Sequence, residues 1–204
     1  LGFSTSIPYF VVLGDTNDLE FTPYRFQRRG LAVKTRYRQK WDRSDLNVAL
    51  YTGSLNTFKK NRESVAALDG IFSTTIGDDW NFKMRARRSS QDTFMRRYKF
   101  NSDTWLKSSA VAEGIKSDKY YYVEVSDTQS LSSGTAADHE PTILPHVFYE
   151  DVKPGFRSGQ TLKTEISAIQ LDNDEGHDMS RWVGNVEITD RLSDGPVKTD
   201  ARAG

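Results

Sequence analysis

Between Leu31 and Trp41 the side chains alternate between two kinds. The odd positions read Leu31, Val33, Thr35, Tyr37, Gln39 and Trp41, and the even positions read Ala32, Lys34, Arg36, Arg38 and Lys40. An alternation of period two places one set on each face of a β-strand, whereas an amphipathic helix repeats every 3.6 residues. This segment is therefore predicted to be a strand with one basic face.

The same period recurs along most of the chain. Trp80 to Arg87 sets Trp80, Phe82, Met84 and Ala86 against Asn81, Lys83, Arg85 and Arg87. Weaker alternation covers Phe3–Val12, Leu19–Phe26, Leu46–Thr52, Val65–Thr74, Leu106–Ile115, Tyr120–Val125, Ile143–Tyr149, Leu162–Leu171 and Trp182–Ile188. The pattern predicts an all-β fold of roughly ten or eleven strands, each of about the length of a tilted membrane strand.

The connections between these strands alternate in length. Gly14-Asp15-Thr16-Asn17 and Gly77-Asp78-Asp79 are short and have turn composition. Ser89–Ser102 and Thr128–Glu140 are longer and polar. Such alternation is typical of a meander in a membrane barrel with tight turns at one end and longer loops at the other. We expect residues 1–204 to form one domain, the first strands of a partial barrel, with no second domain.

Composition excludes several classes of protein. The 28 basic and 28 acidic residues cancel, which argues against nucleic acid as a partner. No apolar run approaches the ~20 residues of a spanning helix, and without cysteine the chain has no disulfides or thiolates. The first residue begins no signal peptide and the last residues form no closing strand, so we expect a fragment of a longer protein.

No catalytic, metal or cofactor site is expected. The three histidines, His139, His146 and His177, lie far apart in the sequence and lack metal-ligand spacing. The segment Asp172–Gly176 lacks the later ligands of a calcium loop. The sequence also contains no glycine-rich phosphate loop and no nucleophile elbow, so we expect a protein that is not an enzyme.

Alternation leaves two architectures open. A soluble β-sandwich and a membrane barrel both produce it. Aromatic residues near strand ends (Trp41, Tyr51, Trp80, Trp105, Tyr120 and Trp182) favour the barrel, because interfacial aromatic belts lie there. In a barrel the basic faces must point to the lumen, since each Lys or Arg facing lipid at mid-depth costs ~2–4 kcal/mol.

Several motifs resemble one family. Gly2-Phe3, followed by Ile7-Pro8-Tyr9-Phe10, is similar to the first barrel strand of the LptD family of lipopolysaccharide-assembly proteins. Asn17–Pro23 resembles its second strand, Arg28-Arg29-Gly30 its next turn, and Arg36-Tyr37-Arg38 its third strand. Later matches are Ser90–Tyr98, Leu144-Pro145 and Leu171–Gly176. Gly14-Asp15-Thr16 departs from the family's usual Ala-Pro.

The resemblance implies a function. Members insert lipopolysaccharide into the outer leaflet of the Gram-negative outer membrane through a lateral gate between the first and last strands. It implies an LptE-like lipoprotein plug in the lumen and a periplasmic Lpt bridge that docks on an N-terminal domain missing from this chain. It also places Pro8 and Pro23 in the gate region, where each removes a ladder donor.

The basic faces have two readings. Lys34, Arg36, Arg38 and Lys40, together with Lys83, Arg85 and Arg87, could line a lumen path for anionic sugars and lipid phosphates. The plainer reading is a hydrated wall balanced by acidic residues such as Glu20, Asp69 and Glu113. Two rival functions also stay open, which are a passive porin-like channel and a soluble β-sandwich that binds carbohydrate.

Overall fold

The structure, a computed structural model, describes residues 3–27, 30–56, 62–131, 142–172, 177–190 and 201–203. The motif residues Gly2, Arg28, Arg29 and 173–176 lie outside these ranges, as do His139 and most of the connection predicted over Thr128–Glu140. Within them, no helix combines the length and the hydrophobicity that crossing a membrane requires.

The described chain is an antiparallel meander, which confirms the all-β prediction. The first seven strands are β1 Ser4–Ser6, β2 Tyr9–Gly14, β3 Asn17–Phe26, β4 Gly30–Trp41, β5 Ser44–Asn56, β6 Arg62–Ile76 and β7 Trp80–Ser89. After helix α1 at Phe94–Arg97 come β8 Trp105–Lys116, β9 Lys119–Ser130, β10 Thr142–Pro154, β11 Gln160–Asp172, β12 Met179–Asp190 and β13 Ala201–Ala203.

Each strand pairs with the next along the chain, and only the start differs. The sheet order is β1-β3-β4 and onward to β13, while β2 also pairs with β3. One strand was predicted over Phe3–Val12, but the structure divides it at Ile7-Pro8 into β1 and β2. The interruption lies opposite Pro23, which has no N–H to donate toward Ile7. The prediction of one continuous strand from Leu31 to Trp41 is confirmed by β4.

The chain divides into two compact units. The first comprises Leu1–Thr74, Lys83–Ser109 and Asp127–Glu140, and the second comprises Thr75–Phe82, Ala110–Ser126 and Pro141–Gly204. The expectation of one domain over residues 1–204 stays a prediction. Pro8, Pro23 and the basic residues of β4 all lie within the first unit.

The strand register of the first unit defines two faces. Even-numbered residues of β3 and β4 share one face with odd-numbered residues of β5 and β6, as the pairs Glu20–Arg36, Arg36–Ala49 and Ala49–Asp69 show. We call this the polar face. The opposite, apolar face carries Phe21, Leu31 and Leu50 with their neighbours.

Burial in this unit is the reverse of that in a soluble sandwich. On the apolar face Leu31 is 61% exposed and Leu50 is 44% exposed, whereas on the polar face Glu20 is only 8% exposed. The buried cluster also lies on the polar face, where loop residues pack on the strands. Its members are Ala32, Ala49, Tyr51, Val65, Ala67, Phe94, Met95, Tyr98, Leu106 and Leu131.

Candidate functional site: the edge hairpin and the polar face

The two prolines lie in one gap of the first hairpin. Ser6 pairs with Tyr24 and Tyr9 pairs with Phe21, so the register places Ile7 opposite Pro23 and Pro8 opposite Thr22. Neither Ile7 nor Pro8 belongs to a strand, while β3 continues through Pro23. A hairpin at one edge of the sheet is thus present, with both prolines at its interruption.

The backbone donors on β3 point in alternate directions. The Gln27 N–H donates to the Phe3 carbonyl oxygen (3.1 Å), and the Lys40 N–H donates to the Thr16 carbonyl oxygen (2.8 Å). Odd residues of β3 therefore bond toward β1 and β2, and even residues bond toward β4. Pro23 is odd, so it removes a donor toward Ile7 and leaves the β3–β4 ladder intact.

Pro8 has the opposite orientation. It stands across from Thr22, whose donor faces β4, so the pair Pro8–Thr22 is a non-hydrogen-bonded one. The nitrogen of Pro8 consequently faces away from β3, toward the outer edge. The resemblance implies that each proline removes a ladder donor. Within the hairpin only Pro23 does so, because successive residues of a strand direct their N–H groups to opposite sides.

Each basic residue of β4 has an acidic neighbour. The Nζ of Lys34 lies 2.9 Å from Glu20 Oε1, and Arg36 Nη1 lies 3.6 Å from Glu20 Oε2. Arg38 Nε is 2.8 Å from Asp18 Oδ1, and Lys40 Nζ is 3.8 Å from Asp45 Oδ1. Two cations therefore share the Glu20 carboxylate, whereas the other two each have their own partner.

Of the predicted basic residues of β7 (Lys83, Arg85 and Arg87), Arg87 has close acidic partners in the described chain, and the neighbouring Arg88 pairs with Asp127. The Nη2 of Arg87 donates to Asp103 Oδ2 at 2.6 Å, and its Nε lies 3.7 Å from Asp69 Oδ1. The Nε of Arg85 is buried and has no hydrogen-bond partner among the described residues. Glu113, a third expected partner of the basic faces, accepts a hydrogen bond from the Tyr120 hydroxyl at 2.7 Å.

The connection from β7 to β8, residues 90–104, folds onto the polar face. We call it the β7–β8 loop. The Phe100 ring lies 4.9 Å from those of both Tyr24 and Tyr51, and the Tyr98 ring lies 4.9 Å from that of Phe26. The loop is thereby packed on β3 and β5. Sequence reasoning missed this contact because it took the segment as a polar connection. The signal was four large apolar side chains in an otherwise polar run, namely Phe94, Met95, Tyr98 and Phe100.

The far end of the loop is held by Asp103. Besides the bond from Arg87, Asp103 Oδ2 accepts one from Asn101 Nδ2 at 3.1 Å, and the Asp103 N–H donates to Asn101 Oδ1 at 2.9 Å. The bond from Arg87, with that from Asn101, lowers the pKa of Asp103 below its ordinary value.

A cavity of about 350 Å³ lies between the loop and the strands. Its walls carry three cations (Lys34, Arg36 and Lys99), five aromatic rings (Tyr24, Phe26, Tyr51, Tyr98 and Phe100) and two serines of the edge strand β1 (Ser4 and Ser6). Sequence reasoning identified Lys34 and Arg36, but it had no means of finding the rings and hydroxyls that the fold brings beside them.

Comparison with known proteins gives no family assignment, since neither a protein-family model nor a curated protein matches the sequence. Among the described residues, no group of three or more histidine, aspartate or glutamate side chains is arranged to hold a metal ion.

Proposed function

We propose that this chain forms the first strands of an outer-membrane β-barrel that inserts lipopolysaccharide into the outer leaflet. The observation that carries the proposal is the inverted burial of the first unit. A sheet whose apolar face is exposed and whose charged pair Lys34–Glu20 is covered suits a lipid environment on the apolar side. A soluble carbohydrate-binding sandwich would bury that apolar face.

The edge hairpin supports a gate in addition to a membrane location. Pro8 removes a donor on the outer side of the edge strand, where the proposed barrel would pair its last strand with its first. Each missing hydrogen bond weakens the pairing of these two strands by ~1 kcal/mol in water and by more in lipid. A passive porin gains nothing from a weakened pairing between its first and last strands.

The partners of this proposal follow from the resemblance. They are lipopolysaccharide itself, an LptE-like lipoprotein in the lumen and a periplasmic Lpt bridge acting through an N-terminal domain. The proposed role is binding and passage, without covalent chemistry, and the proposed location is the outer membrane of a Gram-negative bacterium.

The test is Pro8→Ala in the intact protein. It gives the edge strand one more outward donor, and ~1 kcal/mol of added opening cost should slow lipopolysaccharide arrival at the cell surface about fivefold. Pulse-labelled lipopolysaccharide would be followed at equal protein levels.

Pro23→Ala is the matched control, because its restored donor faces Ile7 inside the hairpin. We expect Pro23→Ala to slow delivery less than Pro8→Ala does. The strands of the hairpin stay paired while lipopolysaccharide passes between the first and last strands. Unchanged delivery in Pro8→Ala, or slowing in Pro23→Ala alone, would contradict a gate at the outer edge.

A further inference from the structure

We infer that the cavity between the β7–β8 loop and β1, β3, β4 and β5 binds a phosphorylated sugar ring. This deepens the proposed function, and the identity of the natural ligand rests on that function. The binding itself is argued from the cavity alone.

The charge of the cavity favours an anion. Lys34 and Arg36 share one carboxylate, that of Glu20, and Lys99 adds a third positive charge. The Arg36–Glu20 separation of 3.6 Å is longer than a hydrogen bond. The Nε of Arg36 is also buried and has no hydrogen-bond partner in the described part of the chain. A buried donor without a partner is costly, so an anionic acceptor beside it would be stabilising.

The rest of the wall favours a ring that carries hydroxyls. Rings of Tyr24, Tyr51 and Phe100 line the cavity, and the face of an aromatic ring suits the apolar C–H face of a sugar. Ser4 and Ser6 provide hydroxyl groups that both donate and accept hydrogen bonds. A volume of about 350 Å³ is near the lower end of small-molecule sites, which suits a single sugar unit.

The cavity also joins separate parts of the first unit. One wall is the edge strand β1, a second is formed by β3 to β5, and a third is the loop. A ligand that contacts Ser4, Arg36 and Lys99 together would hold β1 and the loop against the sheet. Occupancy should therefore protect the backbone amides of β1 from hydrogen exchange.

The test is a ³¹P NMR titration of the protein in detergent micelles with glucose 6-phosphate and, separately, with inorganic phosphate. We expect glucose 6-phosphate to bind at least about tenfold more tightly, because only it contacts the rings. Arg36→Gln should weaken its binding about tenfold by removing a charged donor. Equal affinity for the two probes would overturn the sugar assignment.

Two further variants keep the result interpretable. Arg38→Gln is the matched control, since Arg38 lies on the same strand and face, pairs with Asp18 and does not line the cavity. Equal weakening by both arginine variants would overturn a site at the cavity. If Arg36→Gln fails to fold, Lys99→Asn replaces it, because asparagine tolerates the positive φ of 59° at this loop position. Unweakened binding in Lys99→Asn would then count against the cavity.

The source of the ligand is decided by competition. Displacement of glucose 6-phosphate by dispersed lipopolysaccharide would assign the cavity to a lipid headgroup, and displacement by free sugar phosphates alone would assign it to a soluble ligand. The absence of glucose 6-phosphate binding would overturn the cavity inference. It would leave the Pro8→Ala export test unaffected, so the two failures are distinguishable.

Discussion

At the scale of single residues, Asp103 shows how one carboxylate fixes a loop. Its bond from Arg87 is charge-assisted and short, at 2.6 Å, and it holds the loop just before β8 begins. Arg87 is buried while Asp103 is half-exposed, so solvent screens part of this pair.

This pairing predicts acid-sensitive loop packing. Because the folded pKa of Asp103 is lowered from 3.8, its stabilising contribution is fully present above pH 3.8 and is lost as the pH falls through the lowered value. Asp103→Asn should cost at most ~1 kcal/mol at neutral pH and should remove this pH dependence. Hydrogen exchange of residues 90–104, measured from about pH 2 to pH 7, would check both expectations.

The control is Asp92→Asn, which removes an exposed carboxylate from the same loop. It should leave the pH profile of loop protection unchanged. An equal change in both variants would mean that general loop charge, and not the Arg87–Asp103 bond, sets the profile.

Gly114 gives a second prediction at this scale. A Cβ at this position would lie 2.8 Å from Trp80 Cδ2, and Trp80 stacks on Tyr121 at a centroid distance of 5.5 Å. Gly114→Ala should therefore lower the free energy of unfolding by ~1–3 kcal/mol, as overpacking does. Denaturant unfolding would measure it. Gly184→Ala is the matched control, since its Cβ would meet nothing within 4 Å, and a comparable loss there would contradict the packing argument.

At the scale of elements, β5 shows how differently the side chains of the two faces are exposed. Tyr51 on the polar face is buried under the loop, whereas Leu50 on the apolar face is exposed near the middle of the strand. In water an exposed leucine tolerates substitution, but in lipid the same position is sensitive to charge.

Leu50→Lys tests which environment surrounds β5. In a membrane it should destabilise the folded protein by ~2–4 kcal/mol, whereas at a soluble surface the change should stay within ~0.5 kcal/mol. Reversible unfolding from lipid vesicles would provide the measurement. Leu46→Lys, on the same face but close to the start of β5, should cost only ~0–1 kcal/mol if that end is interfacial. Equal small costs at both positions would contradict the membrane proposal.

At the scale of the whole molecule, the tryptophans lie at or near strand ends, as expected, whereas the same expectation was wrong for Tyr51, which lies in the middle of β5. Trp41 ends β4, Trp80 and Trp105 begin β7 and β8, and Trp182 lies near the start of β12. Trp41 and Trp80 adjoin the short connections 42–43 and 77–79, whereas Trp105 and Trp182 follow the longer connections 90–104 and 173–178. Of these four, the short connection 77–79 and the long connection 90–104 correspond to connections that the sequence predicted.

Strand-end tryptophans predict a defined depth in a bilayer. Indole prefers the interface because it combines an apolar ring with one N–H donor. Tryptophan fluorescence in vesicles should therefore be quenched more by lipids brominated near the headgroup than by lipids brominated deep in the acyl chain. Variants that keep only Trp41 or only Trp182 would test each end separately. Stronger deep quenching, or none, would contradict interfacial belts.

The sequence by itself determined the strands, because the period of alternation and the turn residues are local properties. The predicted bounds of β4 agree with the structure within one residue. The sequence also indicated Glu20 and Asp69 as neighbours of the basic faces. This was possible because consecutive strands of a meander are neighbours in the sheet.

Only the tertiary structure decided the direction of each proline and the contents of the cavity. Whether Pro8 or Pro23 weakens the hairpin depends on which residues, odd-numbered or even-numbered, direct their N–H groups into it. A shift of register by one residue would reverse this assignment. The packing of Phe100 against Tyr24 and Tyr51 depends on where a long loop folds back, and no periodicity in the loop records that. Alternation is read along one strand, whereas these contacts join residues that are distant in the chain.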